Sequence, residues 1–473
     1  MTRSSGVLAA LIAFGAAAVA AAQAPPPLPG QRGQPAAAPA PAAAAQPANQ
    51  NLPAAPVVSP KATISAEVSG PGAMFPALFS LPKGDDLAHF GYEAHEYFVT
   101  GTAAGQPYKT RIVIRKPRDD SRFSGLVLAE SMHPSGNAWM FHFTHRYTMS
   151  EGHVGVEIVT SGLPQLVNHN AARYRDLAIA NEQVNEVIAQ VGAALKARDR
   201  ANPLGRLPLR KMVLGGTSAS AAVLVRYLPA HLVYRLPDMA PIYDGFLPTS
   251  TAAEVDKTDV PMIEVPTMTE VARGASVLRQ DGDAPGDRFR VYEVAGIGHL
   301  DVRDVDAFRP NPCAHPISLH PIGTGFSVAL HYLLQWVDRG VAPPYAPRIL
   351  IDRDVRNDGS LMLLDAQGNV QGGVPSPYLA VPVAQYAAPN AAAKPYPANL
   401  HPWADRGEQG IEALCRLTAY QNEFTADQLK ALYGSKAAYR ARVEQELDSL
   451  TRAGWFLPIY RDVVLADVAA LEF

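Results

Sequence analysis

A serine, a histidine and several carboxylates follow one another along this chain in the order that nucleophilic catalysis can use. The serine is Ser218, in Gly216-Thr217-Ser218-Ala219-Ser220, directly after the apolar run Met212-Val213-Leu214-Gly215. That run reads as a strand entering a tight turn, and Ala221-Ala222-Val223-Leu224-Val225 reads as the helix that leaves it. A hydroxyl on such a turn is lifted clear of the sheet with a helix N-terminus behind it, which is what a serine nucleophile requires. The pattern is close to Gly-x-Ser-x-Gly, with Ser220 in place of the last glycine. Ser220 falls inside the helix and faces packing, so it is the poorer nucleophile.

The serine needs a base. Arg290-Val291-Tyr292-Glu293-Val294 reads as the last strand, and Ala295-Gly296-Ile297-Gly298-His299 follows it. Two glycines let this loop turn sharply enough to carry the His299 imidazole over the serine. An acid must then hold one tautomer of that imidazole and stabilise its cation. Glu270, in Pro266-Thr267-Met268-Thr269-Glu270 after the seventh strand, is the first choice; Asp244 after the sixth, Glu264 and Asp281 stay open. An oxyanion hole asks for backbone N–H groups. One is expected from Ala219. The other is expected from the loop Ser131-Met132-His133-Pro134-Ser135-Gly136, in which Pro134 has no N–H and His133 or Met132 remains. The side chains of His133, Trp139 and His142 either line the pocket or pack in the loop. His142 and His145 have no suitably spaced carboxylates around them, so no metal site is expected, and no cofactor is implied.

Eight strand candidates are set out to position these groups, at 93–100, 109–115, 125–130, 153–159, 211–215, 241–246, 260–265 and 289–294. The third and fourth are near-continuous apolar runs, as in strands buried on both faces. Apolar residues at Val184, Val187, Ile188, Val191 and Leu195 recur at helical spacing within 177–197. A second helix is expected at 323–337. Strands alternating with helices imply an α/β fold, with a mostly parallel eight-stranded sheet and helices on both faces. From residue 341 the pattern changes to Pro- and Gly-rich chain and then two charged helices at 425–433 and 436–453, read as a C-terminal extension over 341–473 packed on a core at 63–340.

Composition narrows the remaining classes. The chain has 473 residues, 48% hydrophobic and 18% charged, with a net charge of −3 and no basic stripe, which argues against nucleic acid. Arg3, the apolar stretch 7–20 and Ala20-Ala21-Ala22 before Gln23 read as a secretory signal over 1–22. Residues 23–62 are Ala- and Pro-rich and read as a disordered linker. No later apolar run reaches about eighteen residues, so no stable membrane span is expected in the mature chain. The two cysteines, Cys313 and Cys415, suggest one disulfide in an exported chain, closing a loop worth about 4 kcal/mol on chain-entropy grounds. The expected location is therefore periplasmic or extracellular.

The chain resembles a family of bacterial exported proteins described as α/β-hydrolase domain-containing, from about residue 65 to the end. The likeness rests on Gly125-Leu126-Val127-Leu128-Ala129-Glu130 and its loop, Ala172-Arg173-Tyr174, the Gly-x-Ser-x-Ser turn, Tyr243-Asp244-Gly245-Phe246-Leu247, and Tyr292-Glu293-Val294-Ala295-Gly296 leading to His299. Further on come Leu334-Gln335-Trp336-Val337 with Gly340, Pro343 and Pro344, then Gly368-Asn369-Val370-Gln371-Gly372-Gly373, and Ala431-Leu432-Tyr433-Gly434 before Tyr439. The resemblance implies an α/β-hydrolase fold, carries the nucleophile onto Ser218 and the base onto His299, and makes Ser220 ordinary for the group. Ala219 stands where the family often has glutamine, and Met268 where it tends to have an acid, with Glu270 two positions on. The expected function is a serine hydrolase acting on a small-molecule carboxylic ester through an acyl-enzyme. An amidase, peptidase or acyltransferase with the same triad, and an inactive hydrolase-fold binding module, are the alternatives.

Overall fold

The computed structural model describes residues 52, 55–78, 81–274, 277, 279–303, 308–352, 361–400 and 407–473. The signal segment expected at 1–22 and most of the linker lie outside these residues.

Among the described residues ten strands form one mixed sheet: β1 (Thr63–Glu67), β2 (Tyr92–Ala103), β3 (Gln106–Pro117), β4 (Leu126–Ser131), β5 (Val154–Ile158), β6 (Lys211–Thr217), β7 (Gly245–Thr249), β8 (Met262–Glu264), β9 (Gly282–Ala284) and β10 (Asp287–Val291). Their spatial order is β9-β10-β8-β7-β6-β4-β5-β3-β2-β1. This corrects the expected eight by two short edge strands, β1 and β9, too brief and polar to stand out in the sequence. The middle of the sheet, from β5 to β10, is parallel, and the pairs at its two edges are antiparallel.

The hairpin of β2 and β3 turns tightly at Ala104 and Gly105, both at positive φ. Gly101, just past the strand expected at 93–100, lies within β2 opposite Tyr108. A Cβ at Gly101 would meet Gln190 Oε1 at 2.7 Å and the Tyr108 hydroxyl at 2.8 Å, so a packing contact rather than a turn calls for the glycine.

Alternation along the central strands assigns each side chain to a face. Val127, Ala129, Met212 and Leu214 join one apolar cluster with α2 (Val184–Lys196) and α3 (Ala219–Val233). Leu126, Leu128 and Val213 join the other, with α1 (Trp139–Ser150) and α5 (Ile322–Arg339). Helix α2 begins later than 177, because Ala178 exchanges two backbone bonds with Lys109 at the sheet and Gln183 Oε1 accepts the Ala180 N–H. Residues 57–62 of the expected linker are docked on the body: Val57–Val58 pairs in parallel with Tyr234–Arg235, and Ala62 is buried.

Beyond residue 341, helices α7 (Ala426–Tyr433), α8 (Lys436–Ala453) and α9 (Arg461–Ala470) put Leu429, Val443, Leu447 and Val464 into the same cluster as α1 and α5. Thr425 caps α7, its hydroxyl accepting from the Gln428 N–H. Cys313 and Cys415 are joined by a disulfide, the latter closing helix α6 (Gly407–Cys415). No helix of the described residues is long and apolar enough to cross a membrane.

The strand order turns back at β4, which lies between β5 and β6. The chain leaving the C-terminal end of β4 runs to α1 on one face and that leaving β6 runs to α3 on the other, the kind of switch point at which α/β sheets bind ligands.

Candidate active site

Ser218 stands between the end of β6 and the start of α3, with φ 57° and ψ −119°. An L-residue there is strained and persists only because its neighbours over-determine it. The Ser218 N–H donates to Thr249 O at 3.0 Å, and Ser218 O accepts from the Ala222 N–H at 3.0 Å. Ser220 braces the turn from within: its Oγ accepts the Thr217 N–H at 2.8 Å and donates to Thr217 O at 2.9 Å. Gly216 is required because a Cβ would meet Ser220 O at 2.6 Å and Ala221 N at 2.8 Å. The Gly-x-Ser-x-Ser pattern thus has a physical reading: the first position needs absent bulk, and the last supplies a hydroxyl to the turn.

The loop after β10 brings His299 Nε2 to 2.8 Å from Ser218 Oγ. On its far side, His299 Nδ1 lies 2.6 Å from Glu270 Oε1. Glu270 is in the first turn of α4 (Met268–Ala272), and its other oxygen accepts from the Thr267 N–H at 2.8 Å and the Thr267 hydroxyl at 2.6 Å. One carboxylate therefore both closes a capping box and faces the imidazole. Burial alone would raise its pKa. The His299 charge and the hydrogen bonds from His299 and Thr267 outweigh burial and hold the carboxyl below its ordinary value. The backbone of His299 is clamped at both ends: its N–H donates to Thr269 Oγ1 at 3.1 Å, and its carbonyl accepts from Ser250 Oγ at 3.2 Å. Ser250 is itself at φ 47°.

The other carboxylates stand elsewhere. Asp244, just before β7, accepts from Lys196 Nζ at 2.6 Å and the Met212 N–H at 2.8 Å, at the opposite end of the parallel strands. Asp281 accepts the Val291 N–H at 2.9 Å beside the edge strand β9. Glu264 is sealed within the sheet, where burial pushes its carboxyl up to about 8.

The expected oxyanion donors divide. Ala219 is the first residue of α3, so its N–H has no partner within the helix. Met132 and His133 do not offer theirs, which corrects the expectation for His133. The Met132 N–H continues the sheet by donating to Ile158 O at 2.7 Å, and the His133 N–H closes its own loop on Asn137 O at 3.0 Å. Trp139 and His142 pack in an aromatic block: Trp139 stacks on Phe143 at 5.1 Å and meets the His142 ring edge-on at 5.4 Å.

Sequence reasoning passed over Thr267, Thr269 and Ser250. The first had a local signal, since Thr267-Met268-Thr269-Glu270 is a capping-box pattern. Ser250 had none, because it meets His299 only through the fold.

A family model described as an alpha/beta hydrolase domain matches residues 54–466. No curated protein matches the chain significantly. Among solved structures, a thermostable esterase from Pseudomonas putida is 10% identical, with 44% of this chain and 74% of that chain covered and a TM-score of 0.28. The esterase Est22 is 11% identical, with 43% and 72% covered and a TM-score of 0.28. A cold-adapted esterase from an Arctic intertidal metagenomic library is 10% identical, with 42% and 84% covered and a TM-score of 0.24. The family match spans most of the chain, whereas each of these structural likenesses covers less than half of it.

Proposed function

This chain belongs to the alpha/beta hydrolase domain family, and from that premise we propose that it is a serine hydrolase cleaving small carboxylic esters. The observation that carries the reading is the continuous chain from Ser218 Oγ through His299 to Glu270, at 2.8 and 2.6 Å.

In this reading His299 Nε2 takes the Ser218 proton as Oγ attacks the ester carbonyl, whose electron pair moves onto oxygen. Glu270 holds the tautomer with the proton on Nδ1 and stabilises the imidazolium. The Ala219 N–H donates to the oxyanion. Collapse breaks the bond to the leaving alcohol, which takes the proton from His299. Water, deprotonated by His299, then attacks the acyl carbonyl, and the acyl–Oγ bond breaks as Ser218 Oγ takes that proton back, releasing the acid.

The segment after 341 serves as an extension that buttresses the base: the Leu300 N–H donates to Leu417 O at 3.1 Å, and a Cβ on Gly298 would lie 2.5 Å from Ala419 N. We also infer export, from the signal-like residues 1–22 together with a disulfide of the kind that persists in oxidising compartments.

Fluorophosphonate labelling of the mature protein tests the reading. Wild type should label and hydrolyse p-nitrophenyl acetate, and Ser218→Ala should do neither while keeping its melting temperature within a few degrees. A folded wild type that never labels would favour the binding-module alternative, and a labelled Ser218→Ala would move the nucleophile to another serine.

A further inference from the structure

With the backbone N–H groups of Met132 and His133 engaged, the loop after β4 has to meet an oxyanion in another way. Strands β4 and β6 pair in parallel up to Glu130 opposite Gly215. His133 lies in the loop leaving the C-terminal end of β4, next to the end of β6 from which Ser218 follows, and its ring lies close enough to His299 to feel that residue's charge. The ring of His133 is buried, and its tautomer is determined by its neighbours. Ser135 Oγ accepts N–H bonds from Asn137 Nδ2 at 3.2 Å and Trp139 Nε1 at 3.3 Å, which directs its own proton to His133 Nδ1 at 2.8 Å. The Ser135 N–H also donates to Nδ1, at 3.1 Å. With Nδ1 accepting, the neutral ring must carry its proton on Nε2. Among the described residues nothing bonds Nε2, and it is not one of the polar atoms sealed from solvent, as His320 Nδ1 is.

We propose that the His133 side chain supplies the second oxyanion donor, its Nε2–H acting with the Ala219 N–H on the acyl oxygen. This rests on Ser218 being the nucleophile. Ser135, with Asn137 and Trp139 behind it, is then a positioning residue that keeps the proton on Nε2. Burial, and after it the charge of His299, push the His133 pKa down to about 3, so the ring is an uncharged donor at neutral pH and does not compete with His299 for the serine proton.

The experiment is hydrolysis of p-nitrophenyl acetate, with kcat expressed per fluorophosphonate-titrated site, alongside inhibition by an aryl trifluoromethyl ketone that forms a tetrahedral adduct. Expected for His133→Ala is a kcat lower by about 10²–10³-fold with KM within about threefold of wild type. The ketone should weaken by a similar factor. His133→Gln, which restores an N–H, should recover at least about tenfold over alanine. His133→Phe fills the same space without a donor and carries the test if the alanine variant does not fold. A donor-free variant whose kcat per site and ketone affinity stay within about threefold of wild type overturns the proposal and leaves the nucleophile standing. A wild type that neither labels nor turns over overturns both.

Discussion

Ser218 stays in a strained conformation because the surrounding contacts are cheaper to keep than to break, and the sequence around it shows why. Ser220→Ala removes both hydrogen bonds to Thr217 and leaves its buried N–H and C=O without them. We expect a loss of about 1–3 kcal/mol, read by urea unfolding, with activity per folded molecule largely kept. Glu270→Gln separates the two duties of that carboxylate. Glutamine can still accept from Thr267, but it presents an N–H to His299 Nδ1 or forces the wrong tautomer. The expected outcome is a kcat lower by about 10³–10⁴-fold with little change in melting temperature. An equal loss of folding would show that Glu270 matters chiefly as a cap.

At the scale of elements, His299, the proposed base, is held by pieces that are remote in sequence. Thr269 comes from α4, Ser250 from the end of β7, and Leu417 from the strip after α6 that the Cys313–Cys415 disulfide secures. Replacing both cysteines with alanine should cost about 2–5 kcal/mol in stability, measured by thermal or urea unfolding. It should also reduce kcat more than KM, because the loosened strip lies along Gly298 and Leu300. Unchanged kcat in a destabilised variant would limit the disulfide to a purely structural role. The same packing explains the glycine at 298, which is needed because Ala419 N lies against it and not only for the turn that the sequence suggests.

Across the whole molecule, buried titratable groups set a stability optimum. His133, His142, His153 and His320 are pushed by burial from 6.5 down to about 3, so between those values the unfolded chain binds more protons and stability rises with pH. Glu130, which caps α1 by accepting from the Met140 and Phe141 N–H groups, and Glu264 are raised by burial from 4.5 to about 8. For these the folded state holds the extra proton, so their contribution is complete below 4.5 and is lost as pH rises to 8. Four histidines outweigh two carboxyls up to pH 6.5, and only the carboxyls act above it. The unfolding free energy, read by urea unfolding, should therefore peak near pH 6.5 and fall by a few kcal/mol toward pH 8, at about 1.4 kcal/mol per proton per pH unit. Glu130→Gln should flatten that decline, and stability that keeps rising from 6.5 to 8 would count against it.

The sequence by itself determined the parts that depend on local spacing. The elbow at Ser218, the glycine loop to His299, the apolar strands and the helical stretch from Val184 to Leu195 are written in short windows, where backbone sterics and periodicity act between near neighbours. The cysteine pairing was legible because only two were present. The tertiary structure decided everything that depends on register between distant segments. It placed Glu270, rather than Asp244, Glu264 or Asp281, against His299, and it engaged the Met132 and His133 N–H groups elsewhere. It also added the edge strands β1 and β9. A carboxylate's neighbours and an N–H's partner are set by which strands lie side by side, and no short window of sequence records that.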